Sequence, residues 1–394
     1  MRAALIHLGF FYNGGGERTV LQEAIGLQDR GHEVEVYCPT SSGDCYPELM
    51  SLVKVHELCW WLDRRLAFRD ALGMLLSSLL TPSIVGRFRD FDVILAHSQP
   101  SNWLAYNVWR RFKVPYVSYL HQTNRFLYPR EVDRETGWST NSNMQLLAMI
   151  HSFRGALKRL DSMSIRGSEM VLTNSEWIKG QIADVYGVEA DVCHPGVDLS
   201  RFEFSTSLDE VVEDPYILST NRHYPQKGLH YLIRGFARLL KARPWLRCVI
   251  TGSHTSYTGR LMEYASDLGV RENVVFTDNL SEKGLADAYR RAYVYTYTSP
   301  EEDFGLGPIE AGACRVPSVV WDHAGPRETV VEGETGFRVR PYDVDELVER
   351  QLQLIDDVPL RFKMGERAAR FVRENFSWER HVDRLESALY SVLS

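Results

Sequence analysis

Residues 299–317 read SPEEDFGLGPIEAGACRVP, and the two runs on either side of them decide the fold. Before them, 293–298 (YVYTYT) is aromatic and β-branched, the composition of a strand. At their end, 316–321 (VPSVVW) repeats that signal. Between the two strands lies a polar loop punctuated by Gly305 and Gly307, then a very short helix. Pro308 suits its first position, where a missing N–H costs nothing. Glu310 then falls in the first turn, where a carboxylate is favoured. Glu302 stands eight residues earlier, on the loop leaving the strand. Acids gathered past the C-terminal end of a strand in a parallel sheet lie where α/β folds bind ligands. The same residues also read as an acidic loop with a capping glutamate, and the rest of the chain weighs between the two.

The chain has 394 residues, too many for one ordinary core and about right for two domains. Hydrophobic residues at 44% and charged residues at 25% are an ordinary soluble composition. A formal net charge of -7 argues against a dedicated nucleic-acid binder. The six cysteines form no CxxC pair, which favours reduced cytoplasmic thiols over a zinc site. No apolar run is long enough to predict a spanning helix. The opening MRAALIHLGFF meets GGGE and not a small-residue cleavage site, so it reads as a buried first strand, 3–11.

After that strand comes a loop holding Gly14, Gly15 and Gly16, then a helix over 18–28 and a strand over 34–38, one βαβ unit. A glycine loop lets the backbone pass close to an anion, although the spacing is not that of GxGxxG. Residues 53–58 suggest a strand and 64–80 a helix with a large apolar face. Arg64, Arg65, Arg69, Arg87 and Arg89 decorate that region. They are either solvated charges on a helix packed in its own domain, or a surface over 62–91 for lipid head groups or a lipid-linked acceptor. Strands over 91–96 and 115–120 are followed by His97 and His121. An imidazole past a strand end can donate to a sugar hydroxyl or phosphate, or accept a proton near neutral pH; it can also merely cap the strand. Arg125 is within reach of the same place. A helix over 139–160, a strand over 169–173, a helix capped by Ser175 and a short strand over 191–194 complete this half. Pro195-Gly196-Val197-Asp198 breaks the pattern and marks the boundary.

The βαβ pattern restarts at 216–220 and leads into NRHYPQKG (221–228), where Arg222 and Lys227 stand five apart before a helix over 229–240. Two cations beside a helix N-terminus make a diphosphate clamp, or else a pair of solvated side chains. Two doubly wound α/β domains leave a crevice between facing strand ends. Basic groups there suit phosphate and acids suit sugar hydroxyls, so the two together point to a nucleotide sugar.

The run Glu302 to Glu310, with AGACRVP behind it, resembles the E-x7-E core motif of retaining GT-B glycosyltransferases of family 4. The similarity extends through the Gly14–Glu17 loop, Tyr119-Leu120-His121, Thr173-Asn174-Ser175, the 195–198 turn, Arg222 with Lys227-Gly228, Gly325, Glu328, Gly333, Gly336 and the FSWE ending at 376–379. It implies two Rossmann-like domains facing across a cleft: an acceptor-side domain over 1–198, joined by a final helix over 377–394, and a donor domain over 199–376. Arg222 and Lys227 would hold the donor diphosphate and Glu310 the ribose hydroxyls. Glu302 would contact the transferred sugar. Backbone N–H groups of Phe304, Gly305 and Leu306 would meet sugar or phosphate, and Gly15 and Gly16 would approach the diphosphate. His121 would contact the sugar 6-hydroxyl or assist the reaction. The family usually carries glycine where this chain has Arg315 and Pro326.

The segment YLHQTNRFLYPRE (119–131) is similar to mannosyltransferases that build lipid-linked or surface glycans, although Gln122 and Thr123 replace their Thr-Pro. The resulting expectation is transfer of an α-linked sugar with retention, GDP-mannose being the first choice of donor and a glycan or lipid-linked sugar the acceptor. UDP-glucose or UDP-N-acetylglucosamine with a soluble acceptor is the alternative, and a non-catalytic sugar-binding scaffold is another. No cofactor and no metal are expected. The expected location is the cytoplasm or the cytoplasmic face of a membrane. The departing diphosphate would take the acceptor proton, and the enzyme would act by stabilising that diphosphate and orienting the acceptor.

Overall fold

Strands buried on both faces must be apolar almost without interruption, which is the signature of a parallel sheet covered by helices. In the computed structural model, which describes residues 1–61, 82–137, 152–202 and 215–393, the central strands β4 (Val93–His97) and β5 (Tyr116–Leu120) are buried at every position. The other strands are β1 (Arg2–Ile6), β2 (Glu33–Cys38), β3 (Val55–Glu57), β6 (Met170–Thr173), β7 (Asp191–Val192), β8 (Tyr216–Thr220), β9 (Arg247–Thr251), β10 (Val274–Thr277), β11 (Ala292–Tyr297), β12 (Ser318–Trp321) and β13 (Gly336–Val339). The described helices of eight or more residues are α1 (Gly15–Asp29), α2 (Ser101–Phe112), α3 (Arg154–Arg166), α4 (Glu176–Tyr186), α5 (Leu229–Ala242), α6 (Thr258–Asp267), α7 (Glu282–Arg290), α8 (Leu306–Ala313), α9 (Val344–Asp356), α10 (Val358–Asn375) and α11 (Trp378–Leu393).

The chain forms two compact units, Met1–Gly196 with Trp378–Ser394, and Val197–Ser377. Each is a Rossmann-like parallel sheet: seven strands in the order β3-β2-β1-β4-β5-β6-β7, and six in the order β10-β9-β8-β11-β12-β13. In the first unit, alternate residues of each strand enter opposite layers, as the period of two requires. Ala3, Leu5, Val93 and Leu95 face one layer with α1 and α11, whereas Ala4, Ile6, Ile94 and Ala96 face the other. The docking of α11 on α1 is tight. A Cβ on Gly26 would stand 2.6 Å from Val382 Cγ2, so only glycine admits this approach. Arg30 binds Glu386 at 2.9 Å and Asp383 at 2.5 Å along the same seam.

Several local expectations change. β1 stops at Ile6, and Phe10 makes only an isolated bridge to Ser41. α1 starts at Gly15, so Gly15 and Gly16 are its first residues rather than part of the loop. α8 starts at Leu306, so Pro308 takes its third position and Glu310 lies beyond the first turn. The helix expected over 64–80 falls outside the described residues, as does the 139–151 part of that expected over 139–160. Ser175 does cap α4, its Oγ accepting from Ile178 N at 3.1 Å.

Candidate active site

In an open α/β sheet, ligands bind where the strand order reverses. In the second unit that point lies between β8 and β11. Two hydrogen bonds hold the loops leaving these strands. Trp321 Nε1 donates to the Thr298 carbonyl at 2.8 Å, and Thr298 Oγ1 donates to the Gly228 carbonyl at 3.1 Å. Gly228 itself sits at φ 63°, where a Cβ would come within 2.3 Å of Thr298 O. The preceding turn (Pro225–Lys227) thereby delivers Lys227 to Glu302, with Nζ donating to Oε2 at 2.6 Å. Both side chains keep some exposure, 20% and 15%. Burial pushes the Glu302 carboxyl up, but Lys227, with the Ser299 and Tyr297 hydroxyls, outweighs it and holds the group at about 2. A fixed carboxylate and a fixed ammonium thus share one partly open mouth.

Glu310 stands on α8. Tyr289 Oη donates to Glu310 Oε2 at 2.7 Å and also meets Thr220 Oγ1 at 2.7 Å, and Thr220 reaches Tyr295 Oη at 2.8 Å. The network passes so close to α8 that a Cβ on Gly307 would lie 2.0 Å from Tyr295 Oη. Gly305, at φ 96°, turns the chain into α8. The Phe304 ring is buried, 5.6 Å from the ring of Phe376 centre to centre, so this residue offers the site only its backbone. Leu306 is half-buried. Arg222 is exposed, its guanidinium carbon 5.7 Å from the Tyr224 ring centre. Arg315 occupies the left-handed region at φ 60°, the conformation glycine adopts without cost, and pairs with Glu366 at 3.2 Å. Pro326 opens a short helical turn and faces Gly305.

In the first unit the order reverses between β1 and β4. Glu23 of α1 is fully buried there, between two imidazoles. Its Oε1 lies 2.9 Å from His381 Nε2, and its Oε2 lies 2.7 Å from His97 Nε2, close but off hydrogen-bond alignment. His97 Nδ1 stands 3.3 Å from His121 Nε2. A Cβ on Gly16 would be 3.9 Å from both His121 and His7, so the first turn of α1 faces these rings. Burial pushes the Glu23 carboxyl up, but His97 and His381 bring it down to about 2. Burial, and then His97, hold His121 well below the usual imidazole range.

The expected residues therefore fall at two switch points. Lys227 and Glu302 touch, Glu310 lies on the same stretch, and His121 with Gly15 and Gly16 belong to the first unit. His97 is not past a strand end but is the last residue of β4, fully buried. Arg125 is committed to Asp133, Nε to Oδ2 at 2.9 Å. Sequence reasoning missed Glu23 and His381. The signal for Glu23 was an acid on the stripe of Val20, Ala24 and Leu27, which is the buried face of α1.

Residues 200–371 match the model of glycosyl transferases group 1, and residues 13–201 that of glycosyltransferase family 4. The chain belongs to this family of GT-B-fold glycosyltransferases. The GDP-mannose-dependent alpha-(1-6)-phosphatidylinositol monomannoside mannosyltransferase of Mycolicibacterium smegmatis is 26% identical, over 95% of this chain and 94% of its own length. The D-inositol 3-phosphate glycosyltransferase of Kineococcus radiotolerans is also 26% identical, over 93% and 87%. Among solved structures, Anabaena HepE in complex with UDP-glucose shares the fold with a TM-score of 0.77 at 19% identity, covering 99% of this chain and 100% of that one.

Proposed function

We propose that this chain transfers a hexosyl group from a uridine diphosphate sugar to a hydroxyl of a soluble acceptor, with retention at the anomeric carbon. The observation that carries the reading is the Lys227–Glu302 pair at the switch point, with Glu310 on the helix that follows. A diphosphate arriving at this mouth competes with Glu302 for the Lys227 ammonium. Glu302 is then released to accept from a sugar hydroxyl, while Glu310 takes the ribose. Bond breaking between the anomeric carbon and the diphosphate oxygen puts charge on that oxygen, and Lys227 with Arg222 stabilises it. The acceptor oxygen bonds to the anomeric carbon from the same face, and its proton passes to the departing diphosphate. The expectation of GDP-mannose as first donor gives way to a UDP-sugar, supported by the solved UDP-glucose complex of the same fold. GDP-mannose is the second reading, favoured by the near full-length match to the Mycolicibacterium enzyme.

A thermal-shift and transfer screen with UDP-, GDP- and ADP-sugars tests this. At a hundred times its Kd a donor adds about 2.7 kcal/mol of stability, which a shift in Tm reads directly. A UDP-sugar should give the largest shift, and Lys227→Ala should abolish it. An equal response to all three, or a shift that survives Lys227→Ala, sinks the assignment. We also propose a reducing compartment, because all six cysteines are buried as thiols. Membrane contact through 62–91 is a separate proposal that vesicle flotation tests.

A further inference from the structure

At the switch point of the first unit, an imidazole and an acid are buried without satisfying each other. His7 follows β1 directly, and its backbone N–H donates to the Tyr37 carbonyl at 2.9 Å, one residue beyond the last strand position. Its side chain is 9% exposed, and its Nδ1 is buried with no hydrogen-bond partner. Glu17 stands in the first turn of α1, its side chain 8% exposed. Its one ion-pair contact among the described residues is His7 Nε2 at 4.0 Å, beyond hydrogen-bond length. Buried polar groups are nearly always hydrogen-bonded, so a pair left apart where α/β sheets bind ligands calls for an occupant. The place is firmly built. Tyr46 N donates to Asn13 Oδ1 at 2.8 Å, the Tyr46 hydroxyl to the Gly14 carbonyl at 3.3 Å, and Cys45 Sγ to the Tyr12 carbonyl at 3.1 Å. The Arg18 guanidinium covers the Tyr46 ring, 4.8 Å from its centre. A Cβ on Gly14 would lie 2.3 Å from Glu17 Oε2, so the carboxylate curls back over the start of the helix. A Cβ on Gly16 would be 3.9 Å from both His7 Cε1 and His121 Cδ2, so both rings border the same turn.

Two opposite demands meet at this turn. The first N–H groups of a helix have no acceptor within it, and Gly14 brings no side chain to cap them. These groups only donate, whereas the Glu17 carboxylate only accepts. A phosphate would satisfy the N–H groups and be repelled by Glu17. An ammonium would satisfy Glu17 and be repelled by the positive end of the helix. A hydroxyl donates and accepts through one atom and meets both demands, whichever nitrogen of His7 carries a proton. We propose that His7, Glu17 and the first turn of α1 bind hydroxyls of the acceptor, and that Glu17 makes the enzyme select an uncharged polyol over its phosphate ester. The acceptor role rests on the transfer reaction proposed above; the preference of the site for a neutral polyol does not. Gly15 and Gly16 are thereby assigned to a hydroxyl and not to the donor diphosphate.

Binding is read first, by saturation-transfer NMR and calorimetry on the full chain, with glucose, mannose and their 6-phosphates as probes. Wild type should hold the neutral sugars at least about tenfold more tightly than the 6-phosphates, because like charges brought together are strongly disfavoured. Glu17→Gln keeps the shape and removes the charge, so it should erase that difference. His7→Gln keeps the charge, so it should weaken the neutral sugars and still reject the phosphates; it decides the matter should Glu17→Gln fail to fold. Kinetics reads the same ratio. The preference in kcat/KM for the neutral over the phosphorylated acceptor should fall at least about tenfold in Glu17→Gln, with the donor KM unchanged. A merely structural role for Glu17 would lower both acceptors alike. The inference is overturned if wild type binds neither kind of probe, if it binds the 6-phosphates as tightly as the neutral sugars, or if Glu17→Gln leaves the ratio where it was. A ratio that moves in binding, in a protein that transfers no sugar, would refute the proposed function alone.

Discussion

Each unit holds a glutamate at the switch point of its sheet, and each carboxyl is held at about 2. Their surroundings differ. Glu23 is sealed, with both oxygens facing imidazoles, whereas Glu302 is partly open and leans on one lysine. A perturbed carboxylate alone therefore does not mark a ligand contact. What distinguishes the two is whether the partner of the carboxylate can be competed away. The lysine ammonium can leave Glu302 for an incoming phosphate, but no ligand enters between Glu23 and its histidines without unpacking α1 from α11.

The sharpest way to break this comparison is Glu23→Ala. Removing one member of a buried charged group costs about 3–5 kcal/mol, so chemical denaturation should show a large loss of stability. Acid should reveal the same term. Glu23 and Glu302 have folded-state values below the ordinary 4.5, so their stabilisation is present above that pH and fades as pH falls from about 4.5 toward 2. His381 is raised, so its share is full below the ordinary 6.5 and fades as pH climbs through the elevated value. The stability gap between wild type and Glu23→Gln should narrow at both ends.

Glu302→Gln should cost less stability than Glu23→Ala, because Lys227 and Glu302 keep some contact with water and glutamine fills the same space. It should cut kcat/KM roughly a hundredfold, as loss of one fixed electrostatic group does; steady-state kinetics with the preferred donor decides. Should its melting temperature collapse instead, the two glutamates are not different in kind. Next in size is Gly228→Ala, which meets Thr298 O and an unfavourable φ. It should cost about 2 kcal/mol and displace Lys227, raising the donor KM. Smallest is Arg315→Gly, which relieves a left-handed arginine but gives up Glu366. Its effect on stability should lie within about 1 kcal/mol of zero, as calorimetry would show.

Most of the fold was legible because the signals were local. The apolar runs at 216–220 and 247–251 and the cap at Ser175 needed no tertiary knowledge. Lys227 and Glu302 stood out as opposite charges on strand-end loops, and the structure brings them together. Two kinds of feature were not. The starts of α1 and α8 were missed because glycines and Pro308 read as loop or helix start, whereas packing against the loops pulls them into the helices. The partnership of Glu23 with His97 and His381 was missed because it joins residues 74 and 358 positions away, a pairing that only the docking of α11 creates. His97 was read as lying just past its strand, because a buried histidine at a strand end looks in sequence like one that follows it.

That docking has a consequence for how the molecule is made. The second unit is one continuous stretch, Val197–Ser377, whereas the first is completed only by Trp378–Ser394. Domains fold as units while synthesis proceeds, so the later-encoded unit can close before the earlier one. Until α11 arrives, Val382, Leu385 and Leu389 are missing from the first core and Glu23 lacks its cation. A released chain that ends at Ser377 should therefore hold a finished second unit and a first unit that proteases still cut. Such a chain is one that quality control can recognise as incomplete from the state of its oldest residues.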